Sequence, residues 1–159
     1  MSFNIVLKRF LIVVLASMTL TACAVQKKSS GLMQGDVYTG TDTVEYLATG
    51  VADRVFFATN KSTLTTAARD TLRKQAAWMR KKKDVTVTIE GHADERGTRE
   101  YNLALGERRA NAAKDYLMTY GISGGRITVI SYGKERPVNN GSSPLAWSQN
   151  RRSVTVKAK

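Results

Sequence analysis

A carboxylate and a guanidinium brought to one pocket can hold a zwitterion, and the stretch GHADERGTREYNLALGERRA, residues 91–110, could bring them there. Asp94 stands just past an apolar strand end, and Arg109 lies on what reads as the second turn of the following helix. If that helix folds back on the sheet, the two meet. Asp94 can then accept from an ammonium while the planar guanidinium of Arg109 forks onto a carboxylate. Gly97 lets the intervening loop turn, and Asn102 is placed either to cap the helix or to bond a ligand. Each residue has a plainer alternative: Asp94 and Arg109 as a structural ion pair, Asn102 as a cap only, Leu105 as core only.

Catalytic equipment is not visible. Asp94 and Glu95 are adjacent, so their side chains diverge on an extended loop, whereas glycosidase carboxylates must face one bond across about 5–9 Å. His92 is the single histidine. No second histidine or cysteine stands at metal spacing, so no metal is expected, and the ring reads as a solvated strand-end group. No Ser-His-Asp order and no phosphate-cradling Gly-rich loop is found, and no cofactor is expected. Lys and Arg outnumber Asp and Glu by 25 to 13, a formal charge of +12, which favours anionic partners. The basic runs are confined to Lys81-Lys82-Lys83, Arg108-Arg109 and Arg151-Arg152 without interleaved aromatics, which argues against nucleic acid. The alternative is a charge-driven polyanion binder, whose binding should collapse with salt and tolerate loss of Asp94.

The elements that must position these residues alternate between strand and helix. Arg54 to Phe57 is a short apolar strand, and Thr65 is an N-cap for a helix running to about Lys82, with Leu64, Ala68, Leu72, Ala76 and Met79 on its core face. Val85 to Glu90 alternates strictly, Val85, Val87 and Ile89 facing one side. A second helix, about Leu103 to Tyr120, buries Leu105, Ala110, Ala113, Leu117 and Tyr120, and Gly121-Ile122 reads as a Schellman stop. Ile127 to Tyr132 and Ser153 to Lys157 complete the strands, with a loop and a brief helical turn near Trp147 between them. The order β-α-β-α-β-β predicts an α+β sandwich, a mixed sheet with helices on one face. Asp42-Thr43-Val44-Glu45 has capping-box spacing and predicts a short helix through about Leu47.

Ahead of this domain, placed at 42–159, the chain carries an address. Residues 1–22 read as a signal peptide, with Lys8 and Arg9 before the apolar run Phe10 to Leu20. The run ends in Leu20-Thr21-Ala22-Cys23, which resembles the lipobox of bacterial lipoproteins; the alternative is an ordinary secretory signal with an incidental cysteine. Lipidation of Cys23, the single cysteine, would give a near-permanent tether at about 0.8 kcal/mol per buried methylene. Ala24 is not the aspartate that retains enteric lipoproteins in the inner membrane, so an outer-membrane anchor facing the periplasm is expected. Residues 23–41 then read as a lipidated N-terminus and flexible leash with a reach of roughly 20–25 Å.

Asp94-Glu95-Arg96-Gly97, the run Asn102-Leu103-Ala104-Leu105-Gly106-Glu107-Arg108-Arg109-Ala110 and the tail Ser148-Gln149-Asn150-Arg151-Arg152 together resemble the OmpA-like C-terminal domain family, and within it the peptidoglycan-associated lipoproteins. The resemblance covers about residues 52 to 157. It implies the OmpA-like two-layer sandwich and a non-enzymatic grip on the peptide stem of peptidoglycan at meso-diaminopimelate, whose free end bears an ammonium and a carboxylate on one carbon. Carried over by motif, the ligand residues are Asp94 and Arg109 first, then Asn102, Leu105, Ala93 and Arg96. Loss of either Asp94 or Arg109 is expected largely to abolish wall retention while the fold survives. The resemblance further implies a tie between outer membrane and wall, partnership with TolB and the other Tol proteins, and a part in division. A wall anchor for another machine, such as a motor or secretion assembly, is the alternative. One departure stands out: where the family has an aromatic residue and an aspartate after the first strand, this chain has Thr59 and Asn60, so the charge there is lost.

Overall fold

Two short hairpins lead the residues that the computed structural model describes, 33–158: β1 (Met33–Gln34) with β2 (Val37–Tyr38), and β3 (Tyr46–Ala48) with β4 (Val51–Ala52). The expected signal peptide, Cys23 and the start of the leash lie outside the described residues. Within them the ordered structure begins before residue 42, because Tyr38 is buried and its ring stands edge-on to Phe56 at 4.8 Å. The helix expected after Asp42 does not form. The Glu45 N–H, which a capping box would use, donates instead to Asp53 Oδ1 at 3.1 Å, and Tyr46 to Ala48 turn back through Gly50 (φ +72) to pair with Val51–Ala52.

The main sheet is formed by β5 (Arg54–Phe56), β6 (Val87–His92), β7 (Ile127–Gly133) and β8 (Arg152–Lys157), in spatial order β5-β8-β6-β7. β6 and β7 are parallel and the other pairings antiparallel, so the sheet is mixed, as the element order requires. Between β5 and β6 runs α1 (Thr66–Lys81), whose N-cap Thr65 accepts from the Ala68 N–H. Between β6 and β7 runs α2 (Arg99–Thr119), and α3 (Pro144–Asn150) precedes β8. Leu72, Ala76 and Met79 of α1 and Ala110, Ala113 and Leu117 of α2 share one core with Val87, Ile89 and Ile127 of the sheet. The α+β arrangement with the two long helices packed against the sheet is therefore the one expected.

β6 starts two residues later than the alternation suggests. The Val85 N–H is taken by the Lys82 carbonyl and the Val85 carbonyl by the Arg126 guanidinium, which leaves Val85 beside the core but out of the ladder. At its other end β6 continues through Gly91, where a side chain would strike the Gly106 carbonyl oxygen. The Gly91–Gly106 contact lets α2 lie backbone to backbone on the strand. Arg109, one turn beyond Gly106 on the same face, is thereby aimed at the end of β6. α2 ends as expected: Gly121 takes φ +81 and the Ile122 N–H donates to the Leu117 carbonyl at 3.3 Å.

Candidate functional site

The end of β6, the loop after β5, α2 and the end of α3 converge, and the charge there comes from Asp94, Arg96, Arg109 and Arg151. The loop reaches Asp94 just past a β6–β7 register shift at Gly91/His92, an irregularity of the kind that re-aims side chains at sheet ends. Asp94 is 7% exposed. Its Oδ1 accepts from the Arg96 backbone N–H and Nε, both at 3.1 Å, and its Oδ2 accepts from Arg96 Nη2 at 2.7 Å and Arg151 Nη1 at 3.3 Å. Burial pushes this carboxyl up, but the Arg96 hydrogen bonds, with Arg151 behind them, outweigh it and hold the group below the usual carboxylate range. Asp94 is an anion between two guanidiniums.

Neither of those guanidiniums is Arg109. Arg109 is fully buried, and it donates from Nε to the Lys61 carbonyl (2.9 Å), from Nη1 to the His92 carbonyl (2.8 Å) and from Nη2 to the Ala58 carbonyl (3.1 Å). It thus ties the loop after β5 to the end of β6, its guanidinium 5.3 Å from the centre of the Phe57 ring. Burial and the nearby Arg151 lower its pKa to about 10, opposed by Asp94, so it is charged at neutral pH. The helix starts a turn earlier than the sequence suggests, which places Arg109 about three turns along α2 and not on the second.

The supporting residues sort by what they touch. Arg96, with its side chain 43% exposed, lies across the Trp147 ring at 4.3 Å while it grips Asp94. Trp147 in turn donates to Glu95 Oε1 at 2.8 Å, so the aromatic side chain of α3 braces the acidic loop. Asn102 is not the helix cap: Thr98 is, accepting from the Tyr101 N–H. Buried Asn102 donates from Nδ2 to the Arg96 carbonyl at 2.8 Å, fixing the loop from below. Ala93 is buried with its N–H on the Gly133 carbonyl at 2.8 Å, and Leu105 is buried. Gly97 takes φ +90, as the turn requires.

The loop after β5 also joins the cluster. Thr59 Oγ1 accepts from Arg96 Nη2 at 3.4 Å, and Asn60 adopts φ +54, a left-handed conformation that asparagine tolerates better than most residues. Arg151 is the partner of Asp94 that sequence reasoning did not assign a role. It is 3% exposed and also donates from Nε to the Phe57 carbonyl at 3.1 Å. Its signal was the Asn150-Arg151-Arg152 run, which position alone did not tie to Asp94.

His92 is not solvated. It is 2% exposed, and both ring nitrogens are buried with no close hydrogen bond among the described residues, Nε2 lying 3.7 Å from a Glu90 carboxylate oxygen. With Arg54, Arg136, Arg152 and Glu90 it lines a cleft of about 670 Å³. Arg136 lies over Tyr132, whose ring neighbours that of His92. Burial first, then the Arg152, Arg54 and Arg136 charges, depress the His92 pKa to about 3. The ring is neutral at any ordinary pH.

A model of the OmpA family matches residues 56–151 of this chain. The peptidoglycan-associated lipoprotein of Rhizobium meliloti is 45% identical over 150 residues, which cover 92% of this chain and 85% of that protein. The protein of the same name from Mesorhizobium japonicum is 53% identical over 106 residues, 67% of this chain and 63% of its own length. Among solved structures, that of the peptidoglycan-associated lipoprotein from Burkholderia pseudomallei superposes with a TM-score of 0.65 at 34% identity, covering 67% of this chain and 90% of that one.

Proposed function

Because the chain belongs to the OmpA family, we propose that it is a non-enzymatic outer-membrane lipoprotein that holds the diaminopimelate end of a peptidoglycan stem. Lipid on Cys23 anchors one end and the stem the other, tying the outer membrane to the wall. The names of the relatives support peptidoglycan as the ligand class. The observation that carries the reading is the state of Asp94: an ionised, nearly buried carboxylate whose main partner, Arg96, is the one cation of the cluster with substantial exposure.

The geometry suggests an exchange. A ligand ammonium takes the place of the Arg96 guanidinium on Asp94, and the adjacent ligand carboxylate is met by cations already in place. Three of the five Arg109 N–H groups hold backbone carbonyls, leaving two for a carboxylate. Arg109 has no surface open to solvent, so a ligand carboxylate reaches it only if neighbouring groups move. Asn102, Ala93 and Leu105 are buried beside these groups and serve as supporting contacts. Asn60 keeps an acceptor without charge, so its share in holding the ammonium is small.

By its likeness to the peptidoglycan-associated lipoproteins, the chain takes its place in the Tol system, with TolB as a partner whose surface overlaps the wall site, and acts in envelope integrity and division. The test is retention on isolated peptidoglycan with free meso-diaminopimelate as competitor. Wild type is retained and displaced by the competitor, whereas Asp94→Ala is not retained although it folds. Equal retention of Asp94→Ala, or binding that vanishes with moderate salt for both proteins, overturns the reading in favour of a polyanion binder.

A further inference from the structure

The first hairpin ends on the candidate site. Gly35 (φ +66) occupies the turn between β1 and β2 and sets Asp36 beside it at the tip. Asp36 Oδ2 accepts the Thr59 backbone N–H at 2.6 Å and lies 4.0 Å from Arg151 Nη2, which also donates to the Asp36 carbonyl. The same Arg151 guanidinium reaches Asp94 through Nη1, and Thr59 is the residue whose hydroxyl accepts from Arg96. One loop N–H and one buried guanidinium therefore hold a carboxylate from a distant segment of the chain, next to the carboxylate expected to hold the ligand. Tyr38, buried against Phe56, pins the hairpin base. The tip stays half-exposed, since the Asp36 side chain is 50% accessible.

We propose that Asp36 is an internal competitor: the hairpin tip latches onto the site and its carboxylate occupies the Thr59 N–H and Arg151, donors that a stem carboxylate would otherwise take together with Arg109. This deepens the stem-binding reading and rests on it. The contact itself indicates the ligand chemistry, because the Thr59 N–H donates to a carboxylate and Arg151 stands against it in this arrangement. It also bears on the loop after β5, where the expected aspartate is replaced by Asn60. An acid does reach that loop, but from the hairpin and bound to donors, so it acts as the anion and does not extend the acidic side of the pocket. The hydrogen bond from Thr59 is the main reason that the Asp36 carboxyl lies below its ordinary range, consistent with a carboxylate held on that N–H.

The experiment measures affinity for isolated peptidoglycan in the full chain for wild type, Asp36→Asn and Asp36→Ala, with hydrogen exchange of the Thr59 amide followed in parallel. Removing a charge-assisted contact from a half-exposed group is expected to tighten binding roughly 3- to 10-fold in Asp36→Ala, with a smaller gain in Asp36→Asn. The Thr59 amide should exchange faster in both variants. Affinity in Asp36→Ala equal to or below wild type overturns the competitor role, the lower value indicating that Asp36 contacts the ligand instead. Unchanged Thr59 exchange overturns the latch. If wild type and both variants all fail to be retained, the stem-binding reading falls and the competitor role with it; retention without a difference defeats the competitor role alone.

Discussion

Arg109→Ala should damage the fold as well as any ligand contact, contrary to the expectation from sequence that the fold survives it. The guanidinium satisfies the Lys61, His92 and Ala58 carbonyls from a fully buried position. Truncation leaves these acceptors without their donor at about 1–3 kcal/mol each, less what entering water recovers. A total of about 3–5 kcal/mol is in line with removal of other buried charged partners. Against a typical stability of about 5–15 kcal/mol, the variant folds marginally. With a urea slope of about 1–3 kcal/mol per molar, the midpoint should fall by roughly 1–5 M, about 2 M at a mid-range slope. Arg109→Lys keeps the charge but cannot span three carbonyls set around a planar fork, and should lose about half as much. Urea titrations followed by circular dichroism decide the matter, and peptidoglycan retention must be normalised to the folded fraction. A loss below about 1 kcal/mol in Arg109→Ala, or wild-type stability in Arg109→Lys, would refute the clamp and return Arg109 to a role in ligand contact alone.

The pH dependence of stability should show two windows. His92 has a folded pKa of about 3 against an ordinary 6.5, so the unfolded chain binds the extra proton and stability falls as pH drops from 6.5 toward 3, by up to about 1.4 kcal/mol per unit; His92→Phe should flatten that slope in thermal melts across the range. Asp94 and Asp36, both held below 3.8, should contribute their losses only as pH falls beneath that value, so the acid limb persists in the His92 variant. Gly91→Ala puts a methyl on the Gly106 carbonyl oxygen, and should lower stability by about 1–3 kcal/mol or more, read as a drop in melting temperature. Arg96→Ala removes the exposed partner of Asp94 while Arg151 stays, and should raise affinity for free meso-diaminopimelate; by calorimetry, unchanged binding would remove Arg96 from the exchange and weaker binding would make it a ligand contact.

Where a single strong local signal decided the outcome, the sequence was sufficient. Thr65 caps α1, Gly121-Ile122 stops α2, and the run of strands and helices needed only periods of two and 3.6 to be read. The boundaries that slipped did so because a tertiary partner took a backbone group. Val85 leaves the ladder since Arg126 claims its carbonyl, and Glu45 abandons a capping box because Asp53 claims its N–H. Asn102 looked like a cap because its side chain type suits one, but Thr98 sits a turn earlier with the same ability. His92 could not be read as buried, because what covers it comes from Arg136 and Arg152, segments that the fold brings together late in the chain.

The candidate site shows the same limit in its electrostatics. The sequence offered one acid and one guanidinium as a natural pair, since they flank one loop. The structure separates their direct partners and places them in one charge cluster. Asp94 lowers the cost of charge on Arg109, and Arg151, bonded to Asp94, raises it. Arg96 and Arg151 have the Asp94 and Asp36 carboxylates against them, whereas Arg109 bonds only carbonyl oxygens, so among the described residues its charge is surplus to the carboxylates bonded here. A zwitterion brings both signs: its carboxylate answers the surplus and its ammonium releases Arg96 from Asp94. A simple anion answers only the first and leaves Asp94 locked to Arg96. On the stem-binding proposal, the protein should therefore select an amino-acid terminus over a bare carboxylate. Competition of acetate against meso-diaminopimelate for the wild-type protein measures it, and equal competition at equal concentration would mean that the acid of the site takes no part in recognition.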